Sequence, residues 1–467
     1  MNGAAEPTPA QLAEFSRLLG VLRSLPVDHP ARLRAEREAE SFSREGRRAR
    51  NSGRRQERAA ADRRLAAGTV LGASDRREDA PPAAPAGGAP LGGYSTPRRC
   101  YVCKRPYQQA DAFYHRLCPD CATENAARRT ASADLAGRHA LVTGGRVKIG
   151  FQLALMLLRD GASVTVTSRF PHDTLRRFRT QPDSGGWLDR LGVVGIDLRD
   201  PRQVIGFCDR VLGTGGPLDI IVNNAAQTLR RPPEAYAALA AGERQAVDAA
   251  SALECAPGFR PMPVLEPAWP TAQLETAHTA PLPESRLSQD AAALAGLDEA
   301  GLLPDPAPRN SWSARLGELD AAEVLEAQLV NAIAPALLCD RLLPLLLASP
   351  WPRRYIVNVT AVEGRFAVRN KTGGHPHTNM AKASLNMLTR TSADELAKQG
   401  VYMCAVDTGW ITDENPAPKK SRIADRGFRT PLDIVDGAAR VYDPIVRGEA
   451  GAPVWGALLK DYREVEW

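Results

Sequence analysis

The sequence predicts an α/β fold, a doubly wound parallel sheet with helices on both faces, preceded by a small metal-binding module and a helical arm. Three observations predict it. A glycine-containing turn, Leu141 to Gly150 (LVTGGRVKIG), joins an apolar run to an amphipathic helix that begins at Ile149 and continues through Phe151 to Leu158. Further short apolar runs follow at Ala162–Thr167, Gly192–Ile196, Leu218–Val222 and Ile356–Val359. Upstream, two Cys-x-x-Cys pairs stand close together, Cys100/Cys103 and Cys118/Cys121.

The chain has 467 residues and a formal charge of +6, room for one full α/β domain with extensions. Its eight cysteines, half of them in the two pairs, do not resemble a secreted disulfide framework. No basic-then-apolar leader opens the sequence, and no run looks long enough to cross a bilayer. A cytoplasmic protein without membrane contact is the expectation.

Residues 1–66 read as a helical, Arg-rich arm. Pro9–Leu25 places Leu12, Phe15, Leu18, Leu19 and Leu22 at helical spacing, a stripe suited to docking on another element or subunit. From 31 to 66, Arg, Glu and Ala dominate. Aromatic residues are nearly absent and Glu45, Glu57 and Asp62 dilute the basic cluster, so a solvated arm is preferred over a nucleic-acid site. Gly, Ala, Pro and Asp enrichment marks residues 67–95 as a flexible linker.

Residues 96–130 form the metal module. Four thiolates from Cys100, Cys103, Cys118 and Cys121 complete a closed tetrahedral site, which points to structural zinc. His115 is an alternative ligand, but the four-cysteine set is simpler. Such a module serves a protein partner, RNA or the neighbouring domain.

The α/β domain spans residues 134–467. Its first strand, turn and helix start are those that dinucleotide-binding folds use, where small residues let the backbone approach a pyrophosphate and helix amides receive it. Thr143, Gly144, Ile149 and Gly150 supply that loop. The second strand ends at Ser168-Arg169, where NAD-preferring folds place a carboxylate. A guanidinium there pairs with a 2′-phosphate, and Arg146 adds charge, so NADP(H) is favoured over NAD(H). Asp197-Leu198 follows the third strand at an adenine-contacting position, and Asn223-Asn224-Ala225-Ala226 ends the fourth.

With these landmarks, Asn331, the Ile356–Val359 strand, Lys382 and Asp407-Thr408-Gly409-Trp410-Ile411-Thr412, the domain resembles the short-chain dehydrogenase/reductase family, with a Rossmann-like fold. The resemblance implies cofactor contacts by Asn223, Ala225, Gly409, Thr412 and Lys382, and an asparagine, Asn331, that supports a water or proton path. It implies a dimer or tetramer through 329–347 and 383–397. It is interrupted by an insertion at about 227–313, rich in Pro and Ala, with helical patches at Ala235–Leu239 and Gln289–Ala295. A loop of that length leaving the carboxyl side of the sheet is placed to cover or narrow the substrate entrance, with Arg230 and Arg231 either meeting an anionic substrate or serving as simple surface charge.

The catalytic positions depart from the family. Its tyrosine lies four residues before the lysine, and Thr378 stands there. Its serine falls on Ala361, with Thr360 beside it. His375 and His377 are the residues near that helix able to exchange a proton at neutral pH, and Glu363 and Arg365 are further polar groups within reach. Lys148 occupies a customary glycine position, either turned away from the pyrophosphate or reaching over it.

Two main functions follow, beside a third, redox-neutral lyase or epimerase chemistry on a tightly held cofactor, and the sequence leaves open whether the protein is an enzyme. The first is an atypical NADP(H)-dependent oxidoreductase acting on a carbonyl or alcohol, with Asn331 and Lys382 anchoring cofactor and water and Thr378 or His377 meeting the substrate oxygen. The second is a non-catalytic NADP(H)-binding scaffold or sensor that engages a partner through the arm or the zinc module.

Overall fold

The structure, a computed structural model, describes residues 6–83, 86–245, 252–260, 296–368 and 371–467. The chain forms two units, residues 1–65 with 94–97, and residues 66–93 with 98–467.

In the first unit, helix α1 (Pro9–Ser24) starts at a capping box. The Thr8 amide donates to Gln11 Oε1 at 2.8 Å while the Thr8 hydroxyl accepts from the Gln11 amide at 3.3 Å. Helix α2 (Pro30–Ala67) is built from strong helix formers, with Arg–Glu pairs such as Arg32–Glu36 at 2.9 Å along its surface. Leu12, Phe15 and Leu18 remain 53%, 59% and 48% exposed. The Asp62 carboxylate accepts from the amides of Ser95 and Thr96 at 2.6 and 3.1 Å.

The stretch expected to be a linker carries fixed contacts in the second unit. Leu71, in a short 3₁₀ turn (Val70–Gly72), is fully buried, and its amide bonds the Phe113 carbonyl at 2.9 Å. Arg76 donates to the carbonyls of Leu71, Thr430 and Leu432 at 2.7–2.9 Å. Low hydropathy signalled a mobile segment here, but one leucine and one multidentate arginine tie it down. An antiparallel pair, β1 (Gly92–Arg99) and β2 (Pro106–Ala110), then leads through the cysteine pairs into helix α3 (Pro119–Arg129).

The core is a nine-stranded sheet. In chain order, β3 (His139–Thr143), α4 (Lys148–Arg159), β4 (Ser163–Ser168), α5 (Pro171–Arg179), β5 (Leu191–Gly195), α6 (Pro201–Thr214) and β6 (Ile220–Asn223) alternate as predicted. Within the insertion lie α7 (Ala237–Glu243) and β7 (Leu253–Cys255). A continuous helix, α8 (Ala321–Ala348), follows and contains one π-turn, Leu329–Ile333. Then come β8 (Arg354–Thr360), α9 (Pro376–Lys398), β9 (Val401–Asp407), α10 (Ala417–Asp425), α11 (Ile434–Glu449), β10 (Leu458–Lys460) and β11 (Arg463–Val465). The order across the sheet is β11-β10-β9-β8-β6-β3-β4-β5-β7, parallel except for the β10/β11 hairpin.

Both faces of the sheet are covered, so its strands are continuous apolar runs rather than alternating ones. One face packs under α4 and α11 through Leu153, Leu157, Val441 and Ile445, the other under α6 and α8 through Val204, Phe207, Leu338 and Leu342. Helix α8 is 28 residues long and apolar enough by composition to cross a membrane, contrary to the expectation that no such run exists. Val330, Leu338, Leu342 and Leu346 of this helix are buried in the core beside the sheet, the behaviour of a core helix. The insertion extends the sheet, because β7 pairs in parallel with β5 through Val193–Leu253 and Val194–Glu254. The helical patch near Ala235–Leu239 is present, while Gln289–Ala295 lies outside the described residues.

Candidate functional site

A cavity of about 870 Å³ opens at the carboxyl ends of β3, β4, β6, β8 and β9, where an open α/β sheet binds ligands. Its floor is the turn between β3 and α4. Gly144 has φ of +71°, and a Cβ there would come within 2.9 Å of the Ala225 Cα. A Cβ on Gly150 would meet the Gly144 carbonyl at 2.3 Å and Asn224 Nδ2 at 2.4 Å. Thr143 lies beneath, its hydroxyl accepting from the amides of Asn224 and Ala225 at 3.0 Å. The Lys148 backbone takes φ of +55°, which explains why glycine is the usual occupant. Its ammonium pairs with Asp79 at 3.2 Å and with Glu414 at 3.8 Å, and Lys148 and Glu414 both line the cavity.

At one end of the cavity, Arg169 lies over the rings of Phe170 and Tyr236, which stack at 5.9 Å. Tyr236, Asp298, Ala300 and Leu302 belong to the insertion and line the cavity. The insertion thus contributes to the Arg169 end of the cavity. Arg146 lines this end too, but its guanidinium is engaged by Asp173 and the Ala300 carbonyl, both at 2.8 Å. Leu198 and Asp197 line the same end, with the Asp197 carboxylate clamped by Arg199 at 2.6 Å. The Arg199 fork holds that carboxyl below the ordinary carboxylate range despite its burial. Arg231 lines the cavity, whereas Arg230 pairs with Asp320 at 3.2 Å.

At the other end, Lys382 on α9 donates from Nζ to the Val359 carbonyl at 2.8 Å. Burial lowers its pKa to about 8, with Glu363 opposing that shift. Burial raises the carboxyl of Glu363, which follows β8 and lines the same cavity. Thr360 and Ala361 line it as well, and the Thr360 hydroxyl has no hydrogen-bond partner among the described residues. Across from Thr360 in the sheet stands Asp407, paired with Lys460 of β10 at 2.5 Å. Gly409 and Thr412 line the cavity where expected, Gly409 at φ of +85°.

The other residues proposed for chemistry are placed elsewhere. Thr378 and His377 sit buried in the first turn of α9 and are not among the residues lining the cavity. Burial holds the His377 imidazole below its ordinary pKa. His375, at φ of +40°, stacks on Trp312 with centroids 4.0 Å apart, and its pKa is lowered to about 4, chiefly by burial. Asn331 sits on the π-turn of α8 and uses both side-chain atoms on Gln227, accepting from its amide at 2.7 Å and donating to its carbonyl at 2.8 Å. Asn223 bridges to Asn358 at 2.8 Å beneath the cavity, tying β6 to β8. Arg365 donates to the Glu466 carbonyl at the surface.

The sulfurs of Cys100, Cys103, Cys118 and Cys121 all lie within 4.8 Å of one another. His115 is not among them, since its Nε2 faces the Arg429 carbonyl at 3.2 Å. The module packs on α11. Tyr114 donates to Asp436 at 2.7 Å, Arg129 binds Asp433 and Asp436 at 2.6 and 2.9 Å, and Arg440 reaches Asn125 at 2.8 Å. Sequence reasoning missed Tyr101 and Lys104, which line the cavity from between and just after the first cysteine pair. No local signal marks them, because a tyrosine inside a cysteine knuckle reads as module core.

Residues 138–252 match the family described as short chain dehydrogenase, and residues 301–426 that described as enoyl-(acyl carrier protein) reductase. An uncharacterized protein, R665 of Acanthamoeba polyphaga mimivirus, is 31% identical over 360 residues, 74% of this chain and 71% of that protein. The C-signal protein of Myxococcus xanthus is 29% identical over 126 residues, covering 27% of this chain and 74% of that one. Among solved structures, NADPH-bound carbonyl reductase from chicken fatty liver is 17% identical, with a TM-score of 0.42 over 71% of this chain and 100% of that chain.

Proposed function

Because this chain belongs to the short-chain dehydrogenase/reductase family, we propose that it is an atypical NADP(H)-dependent oxidoreductase acting on a small carbonyl or alcohol. The observation that carries the reading is Lys382. A buried ammonium, held in the cavity wall by the Val359 carbonyl with Glu363 nearby, is a costly arrangement that proton transfer makes useful.

The residues present fit a dinucleotide. The Gly144/Gly150 turn leaves no room for a Cβ and opens α4, whose first amides would receive the pyrophosphate. Arg169, beside the stacked Phe170 and Tyr236 rings, suits a 2′-phosphate next to an adenine. Lys382 would hold the nicotinamide ribose. When bound, NADPH supplies the two electrons that reduce a carbonyl carbon. The chain supplies the proton and the oxygen contact: the Thr360 hydroxyl donates a hydrogen bond to the substrate oxygen, and Lys382, with Glu363 as its partner, delivers the proton. Thr378 and His377 lie buried in the first turn of the helix that carries Lys382, and Asn331 is engaged by the Gln227 backbone. The four cysteines would hold structural zinc, since an all-thiolate closed set suits that ion.

A second reading, a non-catalytic NADP(H)-binding scaffold, is favoured by one observation: the residue at the family's tyrosine position, Thr378, is buried away from the cavity. Titrating the full chain with NADPH by fluorescence and then adding a panel of aldehydes and ketones separates the two. Oxidation of bound NADPH that disappears in Lys382→Met is the expected result. Tight binding without turnover across the panel would leave the scaffold, and no binding would remove both.

A further inference from the structure

Tyr101 and Lys104 belong to the first cysteine pair yet form part of the cavity wall. The Tyr101 hydroxyl accepts a hydrogen bond from the Trp410 amide at 2.8 Å, on the loop that follows β9. A Cβ on the neighbouring Gly409 would lie 3.4 Å from the same hydroxyl oxygen. The Lys104 backbone takes φ of +61°, folding its ammonium over the Tyr101 ring at 4.7 Å and onto the Tyr101 carbonyl. Tyr101 and Lys104 share this wall with Asp407 and Lys460, at the Lys382 end of the cavity.

This knuckle is held in two ways. Its far side is fastened to α11 by Tyr114, Arg129 and Arg440, as described above. Its near side, the turn from Cys100 to Arg105, is held by the Tyr101 amide bond to the Arg116 carbonyl at 2.8 Å and by the four sulfurs. A tetrahedral ion with Zn–S bonds of about 2.3 Å sets sulfur separations near 3.8 Å. Cys103 and Cys118 lie 3.7 Å apart. Without the ion, the turn keeps the Cys100 amide bond to the Arg105 carbonyl at 3.0 Å and the Cys118 amide bond to Cys100 Sγ at 3.3 Å. It loses the metal–thiolate bonds that would tie the two cysteine pairs together.

We infer that the four-cysteine centre binds a zinc-like ion that holds Tyr101 and Lys104 as the wall of the reacting end, so that metal occupancy controls how the nicotinamide half of the cofactor is bound. The inference rests on the dinucleotide reading of the cavity. It makes Tyr101 a positioning residue whose place depends on the ion, and it gives thiol oxidation or metal loss a route to the site. The Arg169 end is built by β4, α5 and the insertion, and does not share this dependence.

The test compares full-length protein, metal-loaded and chelator-stripped, in calorimetric titrations with NADPH and with adenosine 2′,5′-bisphosphate. Stripping is expected to weaken NADPH about tenfold or more while adenosine 2′,5′-bisphosphate changes less than about twofold, the size of losing one or two polar and ring contacts. Tyr101→Ala, which keeps all four cysteines, should retain one zinc per chain and show the same selective loss. Equal losses for both ligands, or no loss for either, would overturn the inference while the loaded protein still upheld dinucleotide binding. A loaded protein that binds neither ligand would overturn the dinucleotide reading itself.

Discussion

Lys382 Nζ donates to the Val359 carbonyl at 2.8 Å, joining α9 to the end of β8 at the edge of the cavity. Lys382 as a residue is 5% exposed, and its pKa of about 8 lies below the ordinary lysine value of about 10.4. The folded protein therefore releases this proton more readily than the unfolded chain. Below about 8 both states are protonated and the burial cost is fully present; between about 8 and 10.4 the unfolded state binds more protons, so stability rises with pH.

Lys382→Met should accordingly melt higher than wild type near neutral pH, with the gap narrowing as pH rises above about 8. The same variant should lose at least about a hundredfold in carbonyl-reductive activity. In wild type, that activity should fall as pH rises through about 8, where the donor proton leaves. Melting curves and NADPH-consumption rates across pH check both. A variant that melts lower at every pH would show that the ammonium stabilises the fold.

Arg169→Ala should weaken NADPH binding about ten- to a hundredfold and leave NADH nearly unchanged, since a lost guanidinium–phosphate pair is a strong charge-assisted contact. Fluorescence titration with both nucleotides reads the ratio. Equal effects on NADPH and NADH would mean that Arg169 serves only its stacking contacts with Phe170 and Tyr236.

Gly150→Ala places a methyl 2.3 Å from the Gly144 carbonyl and 2.4 Å from Asn224 Nδ2, both fixed groups of the turn. The turn must open to admit it. Nucleotide binding should fall below detection while circular dichroism stays that of a folded protein, and unchanged binding would place the pyrophosphate elsewhere.

Arg129→Met removes the cation between Asp433 and Asp436 and leaves two buried carboxyls together. The expected cost is about 3–5 kcal/mol, the size seen when one partner of a buried pair is removed. Burial and the neighbouring carboxyl already raise Asp433. Without Arg129 the folded-state pKa rises further, so the variant should regain part of its stability as pH falls and the carboxyl takes up a proton. Denaturant titrations at two pH values test this, and an equal deficit at both would exclude carboxyl repulsion as its source.

Strands β3, β4, β5, β6 and β8, the glycine turn and the four cysteines were legible in the sequence, because each rests on local rules, whereas β7, β9, β10 and β11 were not. A strand buried on both faces must be a short apolar run, a pyrophosphate turn must use small residues, and a tetrahedral thiolate site needs paired spacing. Lys382 was legible for the same reason, through its place on a helix at a family spacing. Residues 67–95 were misjudged because composition measures average polarity, whereas Leu71 and Arg76 act singly.

What only the tertiary structure decided is where side chains from distant segments meet. His377 and Thr378 looked catalytic by position, and packing turned them inward. Asn331 kept its place and gives its side chain to the Gln227 backbone. Asp79 and Glu414 claim Lys148 from either end of the chain, and Tyr101 reaches Trp410 across more than three hundred positions. Spacing along a chain encodes the face on which a residue sits within its own element. The neighbour that face meets is settled by the packing of elements far apart in sequence, and with it whether a polar group is spent on the fold or left to face the cavity.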